Sequence, residues 1–255
     1  MDGKTISDHC IMSWLLIDNS NTRTKITLGD AEGLEDWRAV ISTPGLSEES
    51  LEDALSGLEY EAVVVCSVVP DKRKVMEDFF ADRTPIHFVD QHSPIGMDID
   101  YPNPAGIGAD RLANASGVQR HGVPVIVVDF GTAVTFDVIS GQPAYCGGVI
   151  APGLGAMNAW LPQKTALLKP IELVEPDAAI GKSTEQAMLS GAVHGYRGLV
   201  REIIAQVRQE LEGEVRIVAT GGDSELIASG LEEIELVDRD LTLEGLRLIA
   251  SRVFS

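Results

Sequence analysis

Basic residues are scarce in this sequence. It holds 20 lysines and arginines against 39 aspartates and glutamates, which gives a net charge of −19. So acidic a surface repels the phosphates of nucleic acids and of anionic lipids, and we therefore expect neither nucleic acid nor a membrane as a partner. A small anionic substrate is still compatible with this charge, because a local pocket of cationic side chains, backbone N–H groups or a metal ion can bind it.

Cysteine is rare and histidine is not clustered. The three cysteines, Cys10, Cys66 and Cys146, are odd in number and far from any Cys-x-x-Cys spacing, and the five histidines show no metal-binding spacing. Cys66 lies in the apolar run "AVVVCSVV", which is typical of a small core residue. This use of cysteine favours a reducing compartment, so we expect the protein to be cytoplasmic.

Long apolar runs are absent as well. No run reaches about 18 residues, the length that a transmembrane helix needs. The first residues, "MDGKTISDHCIMSW", are polar and include Asp2 and Asp8, which argues against a signal peptide or an anchor. We expect residues 1–13 to form a flexible extension.

The sequence does contain a regular alternation of strand-like and helix-like segments. With 255 residues, 44% of them hydrophobic, the chain can bury one large core or two modest ones. The alternation predicts an α/β fold. The strand-like runs are "WLLID", "TKITL", "EAVVVCSVV", "PIHFVD", "VPVIVVDF", "AVTFDVI", "CGGVIAP" and "EVRIVAT". The helical patterns cover roughly residues 47–58, 71–81, 110–120, 182–212 and 242–253.

One strand pattern occurs twice. In the first half, a strand ends in Asp18 and a polar turn leads to another strand; in the second half, "VIVVDFGTAVTFDVI" repeats this arrangement around Asp129, 111 residues later. The repetition favours two similar lobes that face each other. Coincidence is the alternative, because many strands end in an acid.

The first polar segment, "DNSNTRTK", suits a phosphate site. Asp18 at a strand end can hold a divalent ion through water. Ser20, Asn21 and Thr22 offer hydroxyls and backbone N–H groups to phosphate oxygens, and Lys25 adds a cation. The alternative is a solvated hairpin with an Asx turn, and the segment alone does not decide between the two.

The second segment, "DFGTAVTFD", repeats this chemistry. Asp129 supplies an acid for a cation, Gly131 allows a close approach of the backbone, and Thr132 offers a hydroxyl to a phosphate. A tight hairpin between two core strands is the alternative. Two matching turns in one chain favour the phosphate interpretation.

The segment "GIGADRLANA" introduces a helix. Asp110 and Arg111 are compatible with a helix cap beside a solvated arginine. The alternative is a base that accepts a hydroxyl proton, followed by a guanidinium that binds a carboxylate.

Two glycine-containing segments are less specific. In "VATGGDSEL", Gly221 and Gly222 let the backbone lie flat against a ligand such as an adenine or a ribose, but a strand–Gly-Gly–helix connection is common. The segment "GKST" lacks the upstream spacing of a P-loop. It is better explained as the start of the longest helix, in which Ser183 and Gln186 form a capping box and Gly213 closes the end.

Taken together, these segments resemble the type III pantothenate kinases. The resemblance runs from about Trp14 to about Ser251 and rests on "DNSNTRTK", "CSVVP", "GADR", "DFGTAVTFD", "GGVIAPG", "GKST", "ATGG" and "LTLEGL" in that order. It implies the fold of acetate and sugar kinases, heat-shock ATPases and actin: α/β, with two ribonuclease-H-like lobes, each a mixed sheet flanked by helices, and a nucleotide cleft between them. We expect residues 14–120 and 121–255 to form the lobes, with the last helix able to pack back on the first.

The resemblance also implies an activity. It is the ATP-dependent phosphorylation of pantothenate, the first step of coenzyme A biosynthesis, with ATP, Mg²⁺ and a monovalent cation, K⁺ or NH₄⁺, as cofactors. It further implies a homodimer with composite sites. The alternatives are a non-catalytic regulatory homologue and a kinase of another small hydroxy acid or sugar.

The resemblance assigns a role to particular residues. Asp110 would accept the proton of the pantothenate hydroxyl, and Asp129 would coordinate the monovalent cation. Asp18 would lie near the magnesium ion, and Thr184 would contact substrate across a dimer interface. The remaining substrate residues would be Tyr101, Gly108, Ala109 and Arg111. ATP would be bound by Thr132 and by the first phosphate loop, Asp18, Asn19, Ser20, Asn21, Thr22, Arg23, Thr24 and Lys25.

Ser20 departs from the family pattern, which usually has glycine at this position. A serine carries a Cβ, disfavours positive φ and fills space beside a phosphate. It therefore either weakens ATP binding or supplies a contact of its own.

Overall fold

The structure is a computed structural model that describes residues 13–254. The predicted flexible extension, residues 1–13, lies outside this part of the chain except for Ser13. Within the described part, no helix is both long and apolar enough to span a membrane.

The first sheet has five strands in the order β3-β2-β1-β4-β5. β1 forms an antiparallel hairpin with β2 and a parallel pair with β4. β1 and β4 are buried on both faces, which explains their nearly continuous apolar sequences. The strands are β1 Trp14–Asn19, β2 Arg23–Gly29, β3 Leu34–Ser42, β4 Ala62–Ser67 and β5 Ile86–Phe88.

The second sheet has six strands in the order β11-β10-β7-β8-β9-β6. β7 again forms an antiparallel hairpin with its successor, β8, and a parallel pair with β10. The strands are β6 Asp98–Ile99, β7 Val125–Phe130, β8 Ala133–Ile139, β9 Ala144–Pro152, β10 Arg216–Thr220 and β11 Leu236–Val237.

The two sheets repeat one topology, which confirms the predicted duplication. Apart from the extra edge strand β6, the order β9-β8-β7-β10-β11 matches β3-β2-β1-β4-β5 strand for strand. β1 and β7 have the same length and lie 111 residues apart throughout, so Asp18 and Asp129 occupy the same penultimate position. The exact lobe boundaries at residues 120 and 121 stay a prediction.

Seven α-helices surround the sheets in the described part of the chain. A first core lies between the two sheets and includes α3 and α7; the outer face of the first sheet is covered by α1 and α2, and that of the second mainly by α5. The helices are α1 Glu48–Leu55, α2 Pro70–Phe80, α3 Ala109–Val118, α4 Leu154–Lys164, α5 Thr184–Arg208, α6 Ser224–Ala228 and α7 Leu241–Phe254.

Glycines bring α3 and α7 into close contact between the sheets. A Cβ added to Gly245 of α7 would lie 1.8 Å from the backbone oxygen of Ala113, and one added to Gly117 of α3 would lie 2.3 Å from that of Leu241. No side chain fits at either position, so the helix pair depends on these two glycines. α7 also packs against β1 and β4, so the end of the chain returns to the first sheet.

Several elements differ from the prediction. The half-exposed strand β3, the short β6 and β11, and the helices α4 and α6 were not predicted. α4 contains Pro162, which disguises its helical pattern. α5 ends at Arg208, so the prediction that Gly213 closes it is wrong.

The predicted capping box at the start of α5 is only half formed. The Ser183 hydroxyl accepts a hydrogen bond from the backbone N–H of Gln186 at 3.2 Å, as predicted. The Gln186 side chain, however, accepts from the backbone N–H of Lys182 instead of that of Ser183.

Candidate active site

The β1–β2 and β7–β8 hairpin turns face each other across a cavity of about 510 Å³. The repeated topology causes this arrangement, because each hairpin occupies the same place in its sheet. The cavity is lined by Asp18, Ser20, Thr22, Arg23, Lys25, Asp110, Asp129, Phe130, Gly131, Thr132, Gly155, Ala156, Gly221, Gly222, Asp223 and Thr242.

The first turn is shorter than its polar sequence suggests. β1 continues to Asn19 and β2 begins at Arg23, which leaves three residues, 20–22, in the turn. Asn19 and Thr24 are buried behind it: the Asn19 amide donates to the Thr24 hydroxyl at 2.8 Å and accepts from the Ser67 hydroxyl at 2.7 Å. These two residues of the predicted phosphate loop therefore brace the hairpin, while Asn21 is exposed and does not line the cavity.

Ser20 fits this turn without strain. Among residues 13–254, only glycines have positive φ, so the backbone at Ser20 does not need the freedom of glycine. The Ser20 hydroxyl donates a hydrogen bond to Asp18 Oδ1 at 2.9 Å. The predicted steric conflict at positive φ does not arise.

The second turn consists of Gly131 and Thr132. Its backbone is held by hydrogen bonds from Gly131 N to Ala133 O and from Gly153 N to Thr132 O. The Thr132 hydroxyl lies 3.3 Å from the Thr22 hydroxyl, so the two turns meet at their tips.

Four carboxylates line the cavity: Asp18, Asp110, Asp129 and Asp223. Lys25 Nζ lies 3.6 Å from Asp18 Oδ2. Burial raises the pKa of Asp110, and the nearby Asp18 adds to this effect. Burial also raises the pKa of Asp129 to about 6, although the Asn114 amide that donates to it lowers the value. Within residues 13–254 no three acidic, histidine or cysteine side chains converge on one metal position, so Mg²⁺ would need phosphate or water ligands besides Asp18.

A buried hydrogen-bond chain orients Asp129. The hydroxyl of Thr242 on α7 donates to Asn114 Oδ1 at 2.8 Å, and the Asn114 amide on α3 donates to Asp129 Oδ2 at 3.0 Å. Sequence reasoning missed both residues. The only signal was a polar asparagine within the buried face of a helix.

Gly221 and Gly222, with Asp223, form the wall of the cavity next to β10. Gly221 has a φ of +92°, and a Cβ there would lie 2.5 Å from Asp129 Oδ1. This position therefore requires glycine. The interpretation of "VATGGDSEL" as a surface for an adenine or a ribose stays a prediction.

Asp110 lies in the first turn of α3. Gly108 is the N-cap residue and Ala109 begins the helix. Asp110 Oδ1 accepts a hydrogen bond from the backbone N–H of Arg111 at 2.8 Å. A Cβ at Gly108 would lie 2.5 Å from the same oxygen, so a larger residue there would displace the Asp110 carboxylate.

Arg111 is buried, so the alternative of a solvated arginine is wrong. Its Nε donates to Asp137 Oδ1 at 2.6 Å, and its guanidinium lies over the Tyr145 ring. Tyr101, which is 37% exposed, packs edge-on against Tyr145 with the ring centroids 6.3 Å apart. Tyr101 and Arg111 thus both contact Tyr145.

Thr184 does not line the cavity of its own chain. As the first residue of α5, it lines an apolar groove of about 740 Å³ between α4 and α5, together with Met157 and the 57% exposed Trp160. Ala156 borders both this groove and the cavity.

Two mixed sheets of repeated topology, with paired hairpin turns over an acidic cavity, define a protein with the fold of solved sugar kinases. A ROK family glucokinase from Streptomyces griseus, solved with glucose and AMPPNP, is similar over 94% of this chain and 99% of its own, with a TM-score of 0.53 and 15% identity. A Campylobacter jejuni protein assigned to the Baf family of transcriptional activators is similar over 93% and 98%, with a TM-score of 0.63 and 20% identity. These likenesses confirm the predicted fold.

The chain belongs to the type III pantothenate kinase family. The sequence model of that family, described as type III pantothenate kinase, matches residues 14–206. The type III pantothenate kinase of Akkermansia muciniphila is 53% identical over 240 residues, which cover 94% of this chain and 98% of the relative. That of Methylacidiphilum infernorum is 44% identical over 241 residues, which cover 92% and 87%. The resemblance inferred from the ordered motifs is thereby confirmed.

Proposed function

We propose that the protein transfers the γ-phosphoryl group of ATP to the hydroxyl of pantothenate, forming 4′-phosphopantothenate in the first step of coenzyme A biosynthesis. One observation carries the proposal: Asp110, a carboxylate at the start of α3, shares a cavity with the two hairpin turns that suit phosphate. Membership of the type III pantothenate kinase family supports it.

The phosphates of ATP bind between the hairpin turns. Thr22 and Thr132 offer hydroxyls from opposite sides, and Lys25 and Arg23 supply positive charge in an otherwise acidic protein. Asp18 would hold Mg²⁺, which would supply positive charge to the phosphates. The chain itself contributes position and electrostatics, the two effects on which phosphoryl transfer mainly depends.

Asp110 is the proton acceptor for the substrate hydroxyl. Because burial raises the pKa of Asp110, this carboxylate is a better base than an exposed aspartate. A loose phosphoryl-transfer transition state needs only a weak base, so a modest rise in the pKa of Asp110 is sufficient.

Asp129, which accepts a hydrogen bond from Asn114, binds the monovalent cation, K⁺ or NH₄⁺.

The substrate lies along the start of α3. Gly108 and Ala109 provide backbone close to the reacting hydroxyl, while Tyr101 and Arg111 bind the carboxylate end of pantothenate. Arg111 suits this role because its guanidinium can bind a carboxylate with two hydrogen bonds.

The active enzyme is a homodimer. The apolar groove between α4 and α5, with the exposed Trp160 and Met157, offers a surface that a second copy can bury. Thr184 lies in this groove and not in the cavity of its own chain, so it reaches substrate only in the site of the partner.

We place the enzyme in the cytoplasm, where the buried Cys66 and the exposed Cys146 stay free thiols.

A phosphorylation assay with labelled ATP tests the proposal. The purified protein is offered pantothenate, glucose or acetate, each with and without K⁺. We expect rapid phosphorylation of pantothenate alone, and slower turnover when K⁺ and NH₄⁺ are both removed. Turnover of a sugar or of acetate would assign a different kinase activity, and no turnover of any substrate would indicate a non-catalytic homologue.

A further inference from the structure

Asp137 on β8 is a carboxylate that does not line the active-site cavity. Its side chain is fully buried, at 0% exposure, in a strand that is otherwise apolar at its centre. A buried carboxylate costs free energy unless it is paired and hydrogen-bonded. Burial raises the pKa of Asp137 to about 7, although the Arg111 guanidinium beside it lowers the value. A carboxylate at this buried position is therefore expected to have a specific role.

The contacts of Asp137 are one-sided. Both Arg111 Nε, at 2.6 Å, and the Tyr145 hydroxyl, at 3.1 Å, donate to the same oxygen, Oδ1. Arg111 Nη2 and Asp137 Oδ2 are both buried and have no hydrogen-bond partner among residues 13–254. A purely structural pair of arginine and aspartate would be expected to form two parallel hydrogen bonds. Here Asp137 binds the guanidinium through Nε and leaves Nη2 unused.

The unused nitrogen lies next to the glycines of β9. A Cβ added to Gly148 on β9 would lie 2.8 Å from Arg111 Nη2, and one added to Gly147 would lie 3.2 Å from the Tyr101 ring. The Tyr101 and Tyr145 rings pack together beside these glycines. A buried donor without a partner, next to glycines and two aromatic rings, has the chemistry to receive a small carboxylate.

We propose that Asp137 is a positioning residue that selects carboxylate-bearing substrates. Its carboxylate fixes the guanidinium of Arg111 through Nε, so that the Nη side stays directed at the substrate carboxylate. It also keeps Arg111 from turning toward Asp110, the adjacent residue, where a guanidinium would neutralise the proposed base. This inference rests on the proposed function, because it takes pantothenate as the ligand of Arg111.

The test compares the parent protein with Asp137→Asn, which keeps the shape of the side chain and removes its charge. We expect the KM for pantothenate to rise about tenfold, as loss of an oriented charged hydrogen bond predicts. The KM for ATP is expected to stay within about twofold and kcat within about threefold, because Asp137 acts through the substrate carboxylate.

Glu175→Gln is the matched control. Glu175 pairs with the buried Arg197 through two hydrogen bonds, of 2.8 and 2.6 Å, away from the cavity. Glu175 is 55% exposed, unlike Asp137, but its replacement likewise removes the carboxylate partner of a buried arginine, so a general effect of that loss appears here too. We expect an unchanged KM for pantothenate.

Pantothenol, which carries an alcohol in place of the carboxylate, separates positioning from a general structural role. Its inhibition constant is expected to be the same for the parent and for Asp137→Asn. Three results would each overturn the inference: an equal loss of affinity for pantothenol and for pantothenate in Asp137→Asn, a parallel rise in the KM for ATP, or an unchanged KM for pantothenate.

Tyr145→Phe, which removes one donor to Asp137, is a second variant should Asp137→Asn fail to fold. It is expected to raise the KM for pantothenate about threefold.

Calorimetric titration with pantothenate keeps the two proposals apart. A parent protein that neither binds nor phosphorylates pantothenate overturns the proposed function and this inference together. A parent that binds and phosphorylates pantothenate, with equal affinity in Asp137→Asn, overturns this inference alone.

Discussion

The hydroxyls of Thr22 and Thr132 lie 3.3 Å apart although 110 residues separate them in the chain. Each sits at the tip of the first hairpin of its sheet, so the contact joins the two halves of the duplication. Phosphate groups that enter the cavity between these turns are therefore within reach of a hydroxyl from both sheets.

The first prediction concerns this pair. Thr22→Ala and Thr132→Ala are each expected to raise the KM for ATP about threefold to tenfold, because each removes a hydrogen bond to phosphate. Since the two hydroxyls touch, the double variant is expected to lose less than the sum of the single losses. Steady-state kinetics measure all three, with Ser140→Ala, in the turn after β8, as the control. Strictly additive losses would show that the two hydroxyls do not act on one phosphate group.

The second prediction concerns the proposed base. Asp110→Asn is expected to lower kcat with pantothenate by about 10²–10⁴, because the amide cannot accept the hydroxyl proton. The fold should persist, since the Asn side-chain oxygen can still accept the hydrogen bond from Arg111 N. Turnover and circular dichroism are measured side by side, with Asp53→Asn on the exposed face of α1 as the control. Turnover equal to that of the parent would contradict the role of Asp110.

The third prediction follows from the pKa of Asp129, which burial raises from 3.8 to about 6. The folded state thus favours the neutral carboxyl group, and this contribution to stability is present at low pH and lost as the pH rises through about 6. Asp129→Asn keeps a neutral side chain at every pH. It is therefore expected to raise Tm at pH 8 by a few degrees, and by less at pH 5.5.

Thermal unfolding at the two pH values measures this effect, and kinetics with and without K⁺ measure its functional cost. We expect the Asp129→Asn variant to lose activity and its response to K⁺. Asn114→Ala, which removes the hydrogen bond to Asp129, is expected to weaken the K⁺ response without abolishing it. A lower Tm for Asp129→Asn at pH 8 would show that the buried charge stabilises the fold.

The fourth prediction concerns Ser20. Ser20→Gly is expected to leave the KM for ATP within about twofold, because the turn has no positive φ at this position. It should lower stability by about 0.5–1 kcal/mol, since glycine loses more backbone entropy on folding. ATP titrations and thermal unfolding measure the two effects. A tenfold fall in the KM for ATP would mean that the serine obstructs the phosphates.

The elements that the sequence predicted well carry their signal locally. β1 and β7 are apolar runs that end in an acid, and the start of α5 has a serine N-cap. β3 was missed because none of its residues is fully buried and because the exposed Val40 interrupts the alternation of apolar and polar residues. The length of the first turn was overestimated because Asn19 and Thr24, polar and therefore loop-like in sequence, are buried within strands and satisfied by each other.

By itself, the sequence determined the α/β class, the duplication, the family, and the acids at the strand ends that line the candidate site, because apolar runs, turn residues and ordered motifs are recognised within short stretches of chain. Only the tertiary structure decided what these side chains touch. Arg111 is buried and pairs with Asp137, although its sequence context also allowed a solvated residue. Asn114 accepts a hydrogen bond from Thr242, 128 residues away in the chain. Thr184 lies outside the cavity of its own chain, in the groove between α4 and α5. Such contacts depend on how two sheets and the α3–α7 pair pack, and long-range packing of this kind leaves no spacing in the sequence from which to predict it.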